Sequence, residues 1–183
     1  MDSITFLAGQ NRVPLMCCGP HYQAVLDGLH ASGCEVVDTR PWVLPLRRTG
    51  IKFSDAVETA RQHGVAAMRR GATLVLDLGD EPPDLNGKFA RGTPYAASFP
   101  LQLLDPAQAT AAAQTMFRRN KGDGPPTVQP GFSVALVSAT AFASRHAADF
   151  AARLPLDHAH LVSVVDKLSE FSIQGAQLDP ALD

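Results

Sequence analysis

The run Thr73-Leu74-Val75-Leu76 constrains this chain more than any other segment, because it carries no alternation of apolar and polar side chains. A strand with one solvated face alternates with period two, whereas a strand covered on both sides reads as a continuous apolar run. The segment before it has helical period: Val57, Arg61, Gly64, Val65 and Met68 share one face, and Gly71 supplies a stop. Arg61 joins that face on the strength of its aliphatic stem. Asp55 and Glu58 have capping-box spacing, which predicts a helix start near Asp55. A doubly covered strand fed by an amphipathic helix is the repeating unit of a parallel sheet with helices on its faces.

The same alternation continues along the chain. Val13 to Cys18 reads as the first central strand, preceded by Ile4 to Ala8 as an arm or hairpin. Tyr22, Val25, Leu26 and Leu29 recur at helical spacing before Gly33, and Glu35 to Asp38 reads as a second strand. Pro41 to Lys52 reads as an irregular insertion. Phe99 to Leu104 is expected to be a fourth strand, followed by a helix that Asp105 caps, with Pro106 at its first position and Gln108 at its third. Ala109, Ala112, Ala113 and Met116 give that helix a small-residue face. Asn120 to Pro130 reads as a surface loop, Ser133 to Ser138 as a strand, Ala141 to Leu154 as a helix and Leu161 to Val165 as a last strand. The predicted fold is α/β: a three-layer, mostly parallel sheet of about five to six strands with helices on both faces, flavodoxin-like or Rossmann-like. One domain spans 1–183, with 1–12 as the arm and 169–183 as a frayed tail.

Composition agrees with a single soluble globular domain: 183 residues, 45% apolar and 19% charged, with a formal net charge of -2. No basic field marks a nucleic-acid binder, and no stretch approaches the roughly 20 apolar residues of a membrane helix. Cys17, Cys18 and Cys34 are odd in number and lack zinc spacing, which fits a reducing compartment. With no secretory signal at the N-terminus, the expected location is cytoplasmic.

In parallel sheets of this kind ligands bind beyond the carboxyl ends of the strands, so the candidate residues are sought there. The first strand ends in Cys18-Gly19-Pro20-His21. A helix N-terminus can lower a thiol pKa, which makes Cys18 a candidate nucleophile beside His21, with Gly19 as an anion-binding amide; the competing reading is a buried packing cysteine. The third strand ends in Asp77, and Asp80, Glu81 and Asp84 follow. Crowded carboxylates suggest a divalent cation, a phosphoacceptor or a general base, and their alternative is a solvated turn. Arg40, Arg47, Arg48 and Lys52, with Trp42 beside them, and Arg91 farther on, are candidate phosphate contacts or a solvated basic surface. Asp157-His158-Ala159-His160 could set two imidazoles on one strand face, without a visible third metal ligand. No P-loop, dinucleotide fingerprint or nucleophile elbow is present.

Two partial resemblances attach to these residues. Gly19 to Arg40 with Leu74 to Gly87 resembles a response-regulator receiver domain, through the strand-end Asp77 and the segment Pro83-Asp84-Leu85-Asn86-Gly87. It implies a phosphoacceptor aspartate, although Cys17-Cys18 stands where that family has an acidic pair. Ile4 to Gly9 and Val65 to Tyr95 are similar in arrangement to nucleoside 2-deoxyribosyltransferases, although Arg91 falls near the position of that family's nucleophilic Glu.

Two functions follow as expectations. The first is a binding module with a regulatory or assembly role, joined to a protein partner or to a second copy of itself. The second is an enzyme acting on a nucleotide or phosphorylated small molecule, with Asp77 as base or cation ligand and Asp80 and Asp84 assisting.

Overall fold

The computed structural model describes residues 13–44, 46–105, 107–140, 152–155 and 159–163. Its strands are β1 (Val13–Cys17), β2 (Glu35–Asp38), β3 (Thr73–Gly79), β4 (Ser133–Ser138) and β5 (Ala159–Ser163). The helices are α1 (Tyr22–Ala31), α2 (Arg40–Val43), α3 (Leu46–Thr49), α4 (Phe53–Arg70), α5 (Leu85–Lys88) and α6 (Ala109–Thr115). The strands form one sheet in the order β2-β3-β4-β1-β5, and every pairing is parallel. This α/β arrangement differs in strand order from both the flavodoxin-like order 2-1-3-4-5 and the Rossmann order 3-2-1-4-5-6.

The order explains where the helices lie. From β1 the chain crosses to the far edge at β2 and then steps back through β3 to β4. Right-handed crossovers in opposite directions put their helices on opposite faces. Accordingly α1 buries Val25, Leu26 and Leu29 against Met16, Cys18, Val75, Ala135 and Val137. Helix α4 and the segments after β3 cover the other face, around Leu15, Leu74, Leu76, Leu78 and Leu136. Residues 74–79 of β3 are all buried, as the apolar run requires.

Local chemistry sets the ends of these elements. Gly71 closes α4 with φ 65°, and a Cβ there would stand 2.3 Å from the Pro130 carbonyl oxygen. Gly64 leaves room for Met116, whose Cε would lie 2.7 Å from an added Cβ, so the small-residue face of α6 docks on α4. An aromatic cluster of Trp42, Phe53, Phe89, Tyr95 and Phe99, with neighbouring ring centroids as close as 4.6 Å, pins the turns after β3 beside α2 and α4.

Several expectations are corrected. Phe99 to Leu104 is not a strand: Leu101–Leu104 is a 3-10 turn, and Phe99, Leu103 and Leu104 are buried at helical spacing. A short apolar run cannot by itself distinguish the two. Helix α4 starts at Phe53 with no side-chain cap, and Asp55 lies inside its first turn, where the helix dipole favours a carboxylate. Within the stretch expected to be irregular, Arg40–Val43 and Leu46–Thr49 are single-turn helices. Asp105 caps the turn before α6, accepting from Ala107 N at 3.0 Å, while Gln108 occupies the N-cap position.

Arg61 contributes far more than its stem. It is wholly buried, and its guanidinium donates to Glu58 at 2.9 and 3.0 Å, to the Met116 carbonyl at 2.7 Å, and to Asp123. Arg118, beyond the end of α6, donates its backbone N–H to Asp123 at 2.8 Å and its guanidinium to Ser98. The last strand is Ala159–Ser163, slightly earlier than expected. The arm 1–12, most of the helix expected over 141–154, and the tail 169–183 lie outside the described residues. No helix among the described residues is long and apolar enough to cross a membrane.

Candidate functional site

Side-chain parity brings the candidate site together. Along β3, Val75 packs on the face covered by α1, so Asp77 points to that face as well. On β2, Asp38 is the register partner of Asp77. Two carboxylates therefore end neighbouring strands side by side, and their mutual repulsion must be offset locally.

Tyr22 and Arg40 supply the offset. Tyr22 opens α1, and its hydroxyl donates to Asp77 Oδ1 at 2.6 Å. The same oxygen accepts from Gly79 N at 3.0 Å, just past a register shift between Asp77 and Gly79 in the β3/β4 ladder. Asp77 Oδ2 receives no hydrogen bond from the described residues. Arg40 forks onto Asp38, with Nε at 2.9 and 3.0 Å and Nη2 at 2.7 Å, and adds its backbone N–H at 2.9 Å. Thr39 closes the strand ends by donating through N and Oγ1 to the Asp77 carbonyl at 3.0 and 2.7 Å. Burial, the hydrogen bond to Asp77 and the charge of Asp77 all push the Tyr22 phenol up from its ordinary value. Burial works to raise the Asp38 pKa, but the hydrogen bonds and charge of Arg40 outweigh it and hold the carboxyl below its ordinary range.

This cluster borders the topological switch point. Strands β1 and β4 are neighbours, yet the chain leaves β1 toward β2 at one edge and leaves β4 toward β5 at the other. Ligand crevices in parallel sheets form at such points. Here Gly19, with φ 49°, turns the chain from β1 toward α1, and Cys18 N donates to the Ser138 carbonyl at 3.0 Å. Ser138 Oγ donates to the Gly79 carbonyl at 3.2 Å, joining the end of β4 to the Asp77 turn.

The sequence candidates divide around this centre. Cys18 lies near Asp77 but is wholly buried, with Sγ directed to the Met16 carbonyl at 3.7 Å. Burial, with the charges of Cys17 and Asp77, pushes its thiol up to about 12, the opposite of the shift a nucleophile needs. His21 is half-buried in the turn after Gly19, its N–H on the Cys18 carbonyl at 3.0 Å. The carboxylate run does not converge. Asp80 is exposed, Glu81 pairs with Arg153 at 2.7 Å, and Asp84 caps α5 by accepting from Gly87 N at 2.8 Å. No group of three or more His, Cys, Asp or Glu side chains among the described residues is placed to hold a metal ion. Arg47, Arg48 and Arg91 are exposed and make no contact with Asp77. Asp157 and His158 lie outside the described residues.

Tyr22 and Asp38 were missed as site residues because one sits on an apolar helix stripe and the other at an ordinary strand end. The readable signal was two carboxylates each ending an apolar run, one of them two residues before an arginine. Compared with family models, curated proteins and solved structures, the chain matches none.

Proposed function

We propose that this chain is a three-layer, doubly wound α/β binding module with a regulatory or assembly role, acting in the cytoplasm on a protein partner or a second copy of itself, not on membrane or nucleic acid. The all-parallel sheet, with α1 packed on one face and α4 on the other, supports a layered plan of that kind, while the strand order differs from the flavodoxin-like and Rossmann-like orders. One observation carries the reading: the strand-end side chains that catalysis would need are already engaged in structural contacts, some buried and some at the surface. Cys18 is sealed in the core, Asp77 holds Tyr22 and the Gly79 amide, Arg40 is forked onto Asp38, and Asp84 caps a helix. Such a cluster fixes the carboxyl edge of the sheet as a rigid polar surface.

A second reading rests on the open Oδ2 of Asp77 beside the switch point: an enzyme acting on a nucleotide or phosphorylated small molecule, with a divalent cation on that oxygen. Urea melts with and without about 10 mM magnesium and a nucleoside diphosphate, matched for ionic strength, separate the two. A ligand bound to the native state alone raises stability by about 1.4 kcal/mol at tenfold its dissociation constant. The binding-module reading expects no shift above about 0.5 kcal/mol in either the natural chain or Asp77→Asn. A shift above about 1 kcal/mol that vanishes in Asp77→Asn would overturn it in favour of the enzyme.

A further inference from the structure

A cavity of about 490 Å³, lined by none of the residues of the Asp77 cluster, lies where α2 meets the start of α4. That volume lies within the range of small-molecule sites, roughly 300–1,000 Å³. Its walls are mainly apolar: Pro41, Trp42, Val43, Leu44, Phe53 and Tyr95. Ile51, also in the lining, is 45% exposed and is the exposed large hydrophobic side chain among the described residues. Among the described residues, the charged members of the lining are Lys52 and Lys88, with no carboxylate beside them in the lining.

The two lysines are held differently. Lys88 Nζ sits 4.9 Å from the Phe53 ring centroid and donates to the Trp42 carbonyl, so its charge is fixed at the wall. Lys52 is exposed, and the described residues offer it no ion pair. Trp42 adds an independent feature: it is 1% exposed, and no described residue accepts a hydrogen bond from its buried indole Nε1. A buried indole N–H without an acceptor is uncommon, because leaving it unpaired has a desolvation cost.

We infer that this cavity is a ligand site for a small amphipathic carboxylate, its aromatic or aliphatic body lying against Phe53, Tyr95 and Ile51 beside the buried Trp42, and its carboxylate facing Lys52 and Lys88. A neutral apolar ligand would leave the two ammonium groups unused, and a cation would be repelled by both. The site shares no residue with the strand-end cluster and does not depend on the role proposed for that cluster.

Trp42 is the only tryptophan of the chain, so its indole N–H gives a single assignable resonance. The full chain, labelled with nitrogen-15, is titrated with 3-phenylpropionate and, separately, with the isosteric neutral 3-phenylpropionamide. The acid is expected to move the Trp42 resonance saturably with a dissociation constant of about 1 mM or tighter. It should bind about threefold to fivefold more tightly than the amide, the size expected of a largely exposed charge contact. Lys52→Gln changes an exposed side chain and should reduce that preference, whereas Ile51→Ser should weaken acid and amide alike. Equal binding of acid and amide, an unmoved Trp42 resonance at about 10 mM ligand, or a preference unchanged in Lys52→Gln would each overturn the assignment.

Discussion

Cys17 and Cys18 are adjacent in sequence and belong to opposite hydrophobic clusters, because successive side chains along a strand point to opposite faces. Both are buried, at 1% and 0% exposure, and burial pushes both thiols up to about 12. Cys34, at the start of β2, is only half-buried. Burial raises the Cys34 thiol as well, so the native protein is expected to react with a bulky disulfide reagent at Cys34 ahead of the other two but more slowly than a free thiol, and at all three only after denaturation. Peptide mapping of the labelled residue checks this, and fast labelling of Cys17 or Cys18 would show that β1 is not a core strand. At this scale the sequence was readable where chemistry follows from burial alone. The apolar run Val13 to Cys18 made packing cysteines the simpler expectation, and the strand-end position of Asp77 singled it out. Its partner Tyr22 was not readable, since nothing in the chain before folding says that α1 lies on the face to which Asp77 points.

Arg61 belongs to the scale of elements, because its guanidinium ties α4 to the Met116 carbonyl and to Asp123 beyond α6. Its side chain is 1% exposed, whereas its partners Glu58 and Asp123 are 24% and 12% exposed. Replacing it with methionine keeps the stem but leaves the Met116 carbonyl and two carboxylates without their shared donor. Breaking a buried pair on one side costs roughly 3–5 kcal/mol, and the partial exposure of both acids places Arg61→Met near the lower end. Equilibrium urea unfolding measures it, and a loss under about 1 kcal/mol would mean the network is incidental to α6 docking. The amphipathic period of α4 was legible down to its Gly71 stop. Periodicity reports which face is buried, however, and says nothing of a buried charge that finds one of its two counter-ions, Asp123, 62 residues away. For the same reason the Phe99 to Leu104 segment was misread: its apolar residues fit either a strand or a turn until Pro100 and the aromatic cluster decide.

Over the whole molecule, the titratable groups whose folded environment differs from water set opposite limits on stability with pH. Glu58 is held below its ordinary range chiefly by the hydrogen bond from Arg61, against the opposing effect of burial. For Asp38 and Asp123 burial is the largest influence and acts upward, but Arg40 in one case and Arg118 with Arg61 in the other outweigh it. A carboxyl depressed in the native state contributes stability above its unfolded pKa and loses it as pH falls through the folded value. Those unfolded values are 4.5 for Glu58 and 3.8 for the two aspartates, so stability should decline below about pH 5. The thiols act with the other sign. Cys17 and Cys18 ionise near 9.0 when unfolded and near 12 when folded, so the native state holds its protons longer and stability falls as pH rises past 9. Each pH unit above the unfolded value removes up to about 1.4 kcal/mol per fully protected thiol, giving a combined loss of up to roughly 3 kcal/mol between about pH 8 and 10. Urea melts across pH 3 to 10 should therefore show a plateau bounded on both sides. Asp123→Asn should flatten the acid limb, and Cys18→Ala should flatten part of the alkaline limb while leaving the acid limb in place. An alkaline limb unchanged in Cys18→Ala would show that the thiol is not sealed on the α1 face, and with it would fall the argument that the β1 end of the switch point is a packed wall rather than a reactive one.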